Sequence, residues 1–222
     1  MKNSMGQSVE HSTLGGVARR LSLSPYHSLA SELMENRIDP FIRAQERGEA
    51  EGRILAFVRG LRLSSRLIYA IRDLISSMSL EVDWGHLLDE QNILCSPECD
   101  VIVHKPGYVY QWNGNKSPVM DFKFIDCREA IAVISCKSFI SSIDKSYRKK
   151  LAPYLDNVLL FAECCEPSAV QRLTRSATQG GYKGFWYLYT WDPKTSMTKQ
   201  NPDVWLDFVA AIRQVAASAM GG

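Results

Sequence analysis

The spacing of apolar positions changes partway along the chain. Between about Tyr26 and Ser79, Leu55, Val58, Leu61, Leu63, Leu67, Ile68, Ile71, Leu74 and Ile75 recur at three- and four-residue intervals. That period places them on one face of a helix, and two or three helices are expected here, with breaks near Pro40 and across Gly52–Gly60. After Ser79 the pattern becomes one of short apolar runs. Glu81–Leu88 predicts a strand with Gly85 inside it, and Asp89-Glu90-Gln91-Asn92 is turn chemistry. Asp100–His104 predicts a strand, and Tyr108–Trp112 alternates before Asn113-Gly114, a strong turn signal. Phe122–Ile125 is expected to return antiparallel. Ala130–Cys136 and Asn157–Glu163 are continuous apolar runs, as for strands covered on both faces, and Phe185–Trp191 is a third, aromatic one. The aromatics of this last run are assigned to the core. Helices are expected at Ile140–Leu151, Pro167–Thr178 and Val204–Ala219.

Strands alternating with helices imply right-handed crossovers and a parallel portion of sheet, and the earlier hairpin makes that sheet mixed. The fold class is α/β, a mixed central β-sheet flanked by helices. Residues 1–25, polar and rich in small residues, form a flexible N-terminal arm. Residues 26–79 are helices packing on the core, and 80–222 are the α/β core, with 26–222 one domain overall.

Composition narrows the class without naming a function. The 222 residues are 45% hydrophobic and 23% charged, as in an ordinary globular chain. The net charge of +2 is too small to argue for a polyanion or a membrane, so any such case rests on local clusters. No apolar leader and no run of about 18 apolar residues is present, so no membrane partner is expected. The six cysteines are then read as reduced, mostly buried thiols of a cytoplasmic protein. Cys95 and Cys99, with His86 and His104 nearby, lack the second ligand pair that a structural zinc site requires. Phosphate-loop, dinucleotide-binding, serine-hydrolase and zincin motifs are all absent.

One constellation carries chemistry. Asp100 opens a strand, and 37 residues later an apolar strand ends in Ser135-Cys136-Lys137. Lys137 therefore falls at the carboxyl edge of a central strand, where α/β sheets form ligand sites. Alternation puts Ser135 and Lys137 on one face, and Asp100 can join them from a neighbouring strand. Lys145, Arg148, Lys149 and Lys150 follow directly and form a basic helix face. It is read as solvated, or as a contact for nucleic-acid phosphates. Arg59, Arg62, Arg66 and Arg72 form a second basic set with the same two readings.

These stretches resemble the PD-(D/E)XK, or restriction-endonuclease-like, nuclease superfamily, whose signature is an aspartate on one strand and E-x-K on the next. The matching residues are Ser96-Pro97-Glu98-Cys99-Asp100-Val101-Ile102-Val103 and Ala132-Val133-Ile134-Ser135-Cys136-Lys137-Ser138. With Trp84-Gly85-His86-Leu87-Leu88 they are similar to a bacterial branch having a glycine turn, then S-x-x-x-D, then V-I-E-x-K-S. Gly48-Glu49-Ala50-Glu51-Gly52 is similar to that branch's first motif, whose glutamate falls on Glu51 or, as second choice, Glu49. The resemblance covers roughly Glu46 to Glu166.

It implies a Mg²⁺- or Mn²⁺-dependent endonuclease acting on DNA in prokaryotic defence against phage or foreign DNA. A partner protein that activates or recruits it, and a homo-oligomer, are both compatible with so short a chain. Asp100 and Glu51 would hold the metal, and Lys137 would serve the attacking water. Catalytic candidates are thus Asp100, Lys137, Glu51 and the residue at 135. There the sequence departs from the pattern, because Ser135 stands where E-x-K has its acid. Three accounts stay open. The acid has migrated, to Glu98, Asp126, Glu129 or Glu90. Alternatively, the site is degenerate, leaving a catalytically inactive nuclease-fold subunit that binds nucleic acid or assembles with a partner. Or the serine is a substitution that disarms the enzyme.

Overall fold

The computed structural model describes residues 25–31, 33, 52–112, 122–195 and 197–221, with the side chains of 52–59, 111 and 112 left aside. The arm at 1–24, Glu51 and the Asn113-Gly114 turn lie outside the described residues.

Residues 25–31 are helical. Helix α1 follows at Gly52–Leu74, and then strands β1 (Glu81–Leu88), β2 (Cys99–His104), β3 (Tyr110–Trp112), β4 (Phe122–Asp126) and β5 (Ala130–Ile140). Helix α2 (Lys145–Leu151), β6 (Val158–Cys165), a 3₁₀ turn at Pro167–Ala169 and α3 (Val170–Gln179) come next. Strands β7 (Phe185–Asp192) and β8 (Met197–Gln200) and helix α4 (Pro202–Met220) close the chain. The strands form an eight-stranded sheet in the order β3-β4-β1-β2-β5-β6-β7-β8. Pairs β5–β6, β6–β7 and β1–β4 are parallel, while β1–β2, β2–β5, β3–β4 and β7–β8 are antiparallel. The mixed α/β class expected from the sequence is the class observed.

Alternation along the central strands divides the core into two layers. Ala132, Ile134, Leu159, Phe161 and Leu188 face α1, α4 and the helical residues near Tyr26, with Ile71, Trp205 and Phe208 filling that side. Val133, Leu160, Ala162, Phe185 and Tyr187 face α2 and α3 through Leu151, Leu173 and Ala177. Each such fully buried large side chain contributes about 1.5–3 kcal/mol by leaving water.

Three expectations are corrected. The helix assigned to Ile140–Leu151 begins only at Lys145, because Asp144 caps it: its carboxylate accepts the Ser146 N–H at 2.8 Å. The residues before it continue β5, where Lys137 pairs with Ala162 and Ile140 with Cys165. Strand β8 was not anticipated, since Met-Thr-Lys-Gln has neither apolar alternation nor β-branched density; it forms because the edge of β7 offers it a ladder. The third concerns the basic set on α1, where Arg72 is engaged within the fold: it donates to the Val82 carbonyl at 2.9 Å and to the Asp83 carboxylate at 2.8 Å.

Gly85 is required by close approach. A Cβ there would sit 1.7 Å from the Lys123 carbonyl oxygen on β4. The β1–β2 register also shifts between Asp83 and Gly85, a bulge beside Trp84. Gly85→Ala should therefore lower stability by about 3 kcal/mol, the upper range for forcing extra volume into a packed site. Urea denaturation measures it, and an unchanged midpoint would contradict the close approach.

Candidate active site at the β2–β5 strand pair

Strands β2 and β5 run antiparallel with Val101 opposite Ile134 and Ile102 opposite Val133. One residue further along the ladder, Asp100 faces Ser135. The carboxyl end of β5, the start of β2, α2 and the middle of α1 enclose a cavity of about 390 Å³. Its walls include Asp100, Lys137, Glu98, Trp84, Ser64 and Tyr147. Asp100 and Lys137, distant in sequence, thus open onto one space.

The local bonds explain how each group is held. Asp100 Oδ2 accepts the backbone N–H of Cys136 at 2.8 Å, tying the head of β2 to β5. Burial pushes the Asp100 pKa above its ordinary range; the Cys136 N–H and the Lys137 charge oppose this, while Glu98 adds to it. Lys137 is exposed, and its ammonium lies 6.0 Å from the centre of the Tyr147 ring. Tyr147 is the residue by which α2 reaches the cavity, and its hydroxyl donates to the Glu98 carbonyl at 3.2 Å. The loop before Asp100 is anchored by Ser96. Its Oγ accepts the Leu87 N–H at 2.7 Å and donates to the Pro97 carbonyl at 2.8 Å. The serine of the S-x-x-x-D stretch therefore fixes the loop against β1 instead of entering the cavity.

Ser135 has a different situation. It is 1% exposed, does not line the cavity, and its Oγ has no hydrogen-bond partner among the described residues. A buried hydroxyl in that state costs about 1–3 kcal/mol. Of the other proposed acids, Asp126 is held by Arg128 in the turn after β4, and Glu129 pairs with Lys105 at 3.6 Å. Both lie at the far end of β5 from Lys137, roughly 26 Å along the strand at ~3.3 Å per residue. Glu90 is exposed in the turn after β1 and does not line the cavity. Glu98 does. Glu51 lies outside the described residues, and the helix that follows it meets the cavity at Gly60, Leu61 and Ser64. On α2, Lys145, Lys149 and Lys150 are exposed, while Arg148 turns inward and donates from Nε to the Gly181 carbonyl at 2.9 Å. Trp84 and Tyr147 were not singled out from sequence, where their alternation reads as ordinary strand and helix pattern.

A second charged group lies at the other end of β2, where Glu81, Asp83 and His104 come close enough to share a cation. Asp83 is already saturated: Oδ1 accepts from Arg72, and Oδ2 accepts from Lys123 at 2.8 Å and meets His104 Nε2 at 3.0 Å. Lys123 also lies 3.6 Å from Glu81. Two protein cations occupy the place a metal would need, so this cluster is a structural ion network. For a divalent cation the fitting donor set is the hard carboxylate oxygens at the β2–β5 cavity.

Comparison with known proteins follows this geometry. No protein-family model and no curated protein sequence matches the chain. Among solved structures, P. aeruginosa NucC in its cAAA-bound form superposes with a TM-score of 0.56 at 9% identity, covering 92% of this chain and 98% of that one. E. coli MS115-1 NucC, also cAAA-bound, gives 0.53 at 10% identity, covering 89% and 90%. These likenesses show the fold, which is that of NucC: a mixed α/β sheet flanked by helices. No helix among the described residues is long and apolar enough to cross a membrane.

Ser135→Ala removes the unpartnered hydroxyl and should raise stability by about 1 kcal/mol, seen as a higher urea midpoint. Asp83→Asn should lower it by about 3–5 kcal/mol, since it leaves two cations without their anion. Burial raises the Asp83 pKa, but the hydrogen bonds and charges of His104 and Lys123 outweigh this and hold it below 3.8. A depressed folded pKa gives stability that is present above the unfolded value and lost as pH falls through the folded one. The gap between wild type and Asp83→Asn should therefore be full near neutrality and shrink below about pH 3.8.

Proposed function

We propose that the chain is a metal-dependent nuclease that hydrolyses DNA phosphodiester bonds. The observation that carries the reading is the convergence of Asp100 and Lys137 in one cavity at the carboxyl edge of a restriction-endonuclease-like sheet. Asp100 is the carboxylate that would hold Mg²⁺ or Mn²⁺, with Glu51 as its second candidate from the motif before α1. A bound divalent cation would supply charge stabilisation and an activated water.

The chain's own groups have definite parts in this reading. Asp100 is fixed by the Cys136 N–H, so its other oxygen is directed without a search through rotamers. Lys137 brings an exposed ammonium to the same space, where it holds the attacking water or the phosphate oxygens that gain charge. The exposed Lys145, Lys149 and Lys150 on the adjoining α2 suit phosphate contacts along the substrate. Arg148 is withdrawn from that set by its bond to Gly181. The likeness to NucC supports a setting in prokaryotic antiviral defence. The NucC structures are cAAA-bound, and a small-molecule or protein activator of this chain belongs to the same proposal.

A second reading rests on Ser135. A buried serine replaces the acid of E-x-K, which favours an inactive subunit that binds nucleic acid or a partner. Cleavage of plasmid and single-stranded DNA by the purified chain with Mg²⁺ or Mn²⁺ separates the two. The nuclease reading expects metal-dependent cutting that falls at least about 100-fold in Lys137→Ala, the usual scale for losing one group that stabilises the transition state. Cutting that appears only in Ser135→Glu would establish the disarmed scaffold instead.

A further inference from the structure

The geometry points to Glu98 as the second carboxylate of the site: Asp100 and Glu98 together form a two-carboxylate locus for a hard divalent cation, taking over the role that residue 135 has lost. This deepens the nuclease reading and rests on it for its biological meaning, although the locus itself can be tested without any cleavage.

Both side chains line the same cavity as Lys137, and they stand two residues apart at the head of β2. Each has one oxygen committed and one open. Asp100 Oδ2 takes the Cys136 N–H, and Glu98 Oε1 takes the Trp84 indole N–H at 2.9 Å. The remaining oxygens have no hydrogen-bond partner among the described residues. Glu98 is also held from its backbone, through the Tyr147 hydroxyl on its carbonyl and the Ser96 anchor two residues earlier. Trp84 is itself set in place by its edge-to-face contact with Phe122, ring centres 4.8 Å apart. An exposed glutamate pinned at the main chain and at one carboxylate oxygen is preorganised, unlike a solvated surface acid. Two carboxylates, completed by water and a substrate phosphate, are a sufficient donor set for Mg²⁺ or Mn²⁺. Of the acids offered for the migrated position, the other three do not reach: Asp126 and Glu129 are ion-paired at the far end of β5, and Glu90 is off the cavity.

The test is calorimetric titration of the full-length chain with Mn²⁺ alone, in the absence of nucleic acid. One saturable equivalent is expected. Glu98→Gln and Asp100→Asn should each weaken it at least tenfold, Glu98→Asp should recover part of the loss, and Glu129→Gln should leave it unchanged. Thermal melts of each variant without metal confirm that the fold is intact. Binding in Glu98→Gln equal to wild type would overturn the inference and assign the ion to Asp100 alone or to the Glu81–Asp83–His104 cluster. No saturable binding by the wild type would also overturn it. A chain that binds Mn²⁺ through Glu98 yet cuts no DNA defeats the nuclease reading only. One that cuts DNA while indifferent to Glu98→Gln defeats this inference only.

Discussion

The carboxylate of Asp100 is the constraint around which this half of the molecule is arranged. It lies at the head of a strand between two others, where desolvation penalises its charge, and the protein offers it one backbone N–H and the distant ammonium of Lys137. That is less compensation than a buried carboxylate needs for its own sake. The single N–H that it does receive comes from β5, so the same bond that steadies the carboxylate also fixes the β2–β5 register at the cavity. Strand β5 then carries Lys137 past the end of the β2 ladder, and the cap at Asp144 delays α2 long enough for Tyr147 to reach the opening.

The two ends of β2 show what full compensation would look like. At its far end, Asp83 is buried, yet both carboxylate oxygens are used, by Arg72, Lys123 and His104. The result is a carboxylate held ionised and committed to holding β1, β2, β4 and α1 together. At its near end the arrangement is left incomplete on the protein's side. The contrast separates an ion network that serves the fold from the carboxylates proposed as a cation locus, although a simple count of acidic neighbours favours the former.

Much of this was legible in the sequence because it rests on short-range pattern. The continuous apolar runs at Ala130–Cys136 and Asn157–Glu163 became central strands because a strand covered on both faces must be apolar throughout. The order and spacing of Asp100 and Lys137 survived because one strand edge gathers them. What was not legible depended on partners far along the chain. Nothing in Met197–Gln200 announces a strand until β7 presents its edge. The start of α2 turned on one capping carboxylate, which the basic run after it obscured. Glu98 could be named only as one acid among four, because what sets it apart, its contacts with the Trp84 indole and the Tyr147 hydroxyl, is brought about by tertiary packing.

The position of Glu98 also gives a physical account of the serine at 135. A glutamate at that point would sit opposite Asp100 on the same face of an antiparallel pair, with side chains about 4.5–5.5 Å apart, where like charges destabilise the sheet. It would be almost wholly removed from water, as Ser135 is now. Serine ends that repulsion at the cost of an unpartnered hydroxyl. Glu98 is exposed at the rim, and a cation entering from solvent would meet it before Asp100. Moving the second carboxylate from the floor of the site to its mouth thus keeps the charge count of the site while relieving the sheet of a second buried anion. On the proposed assignment, a site with no cation bound would carry less buried charge than an arrangement with both acids on the strands.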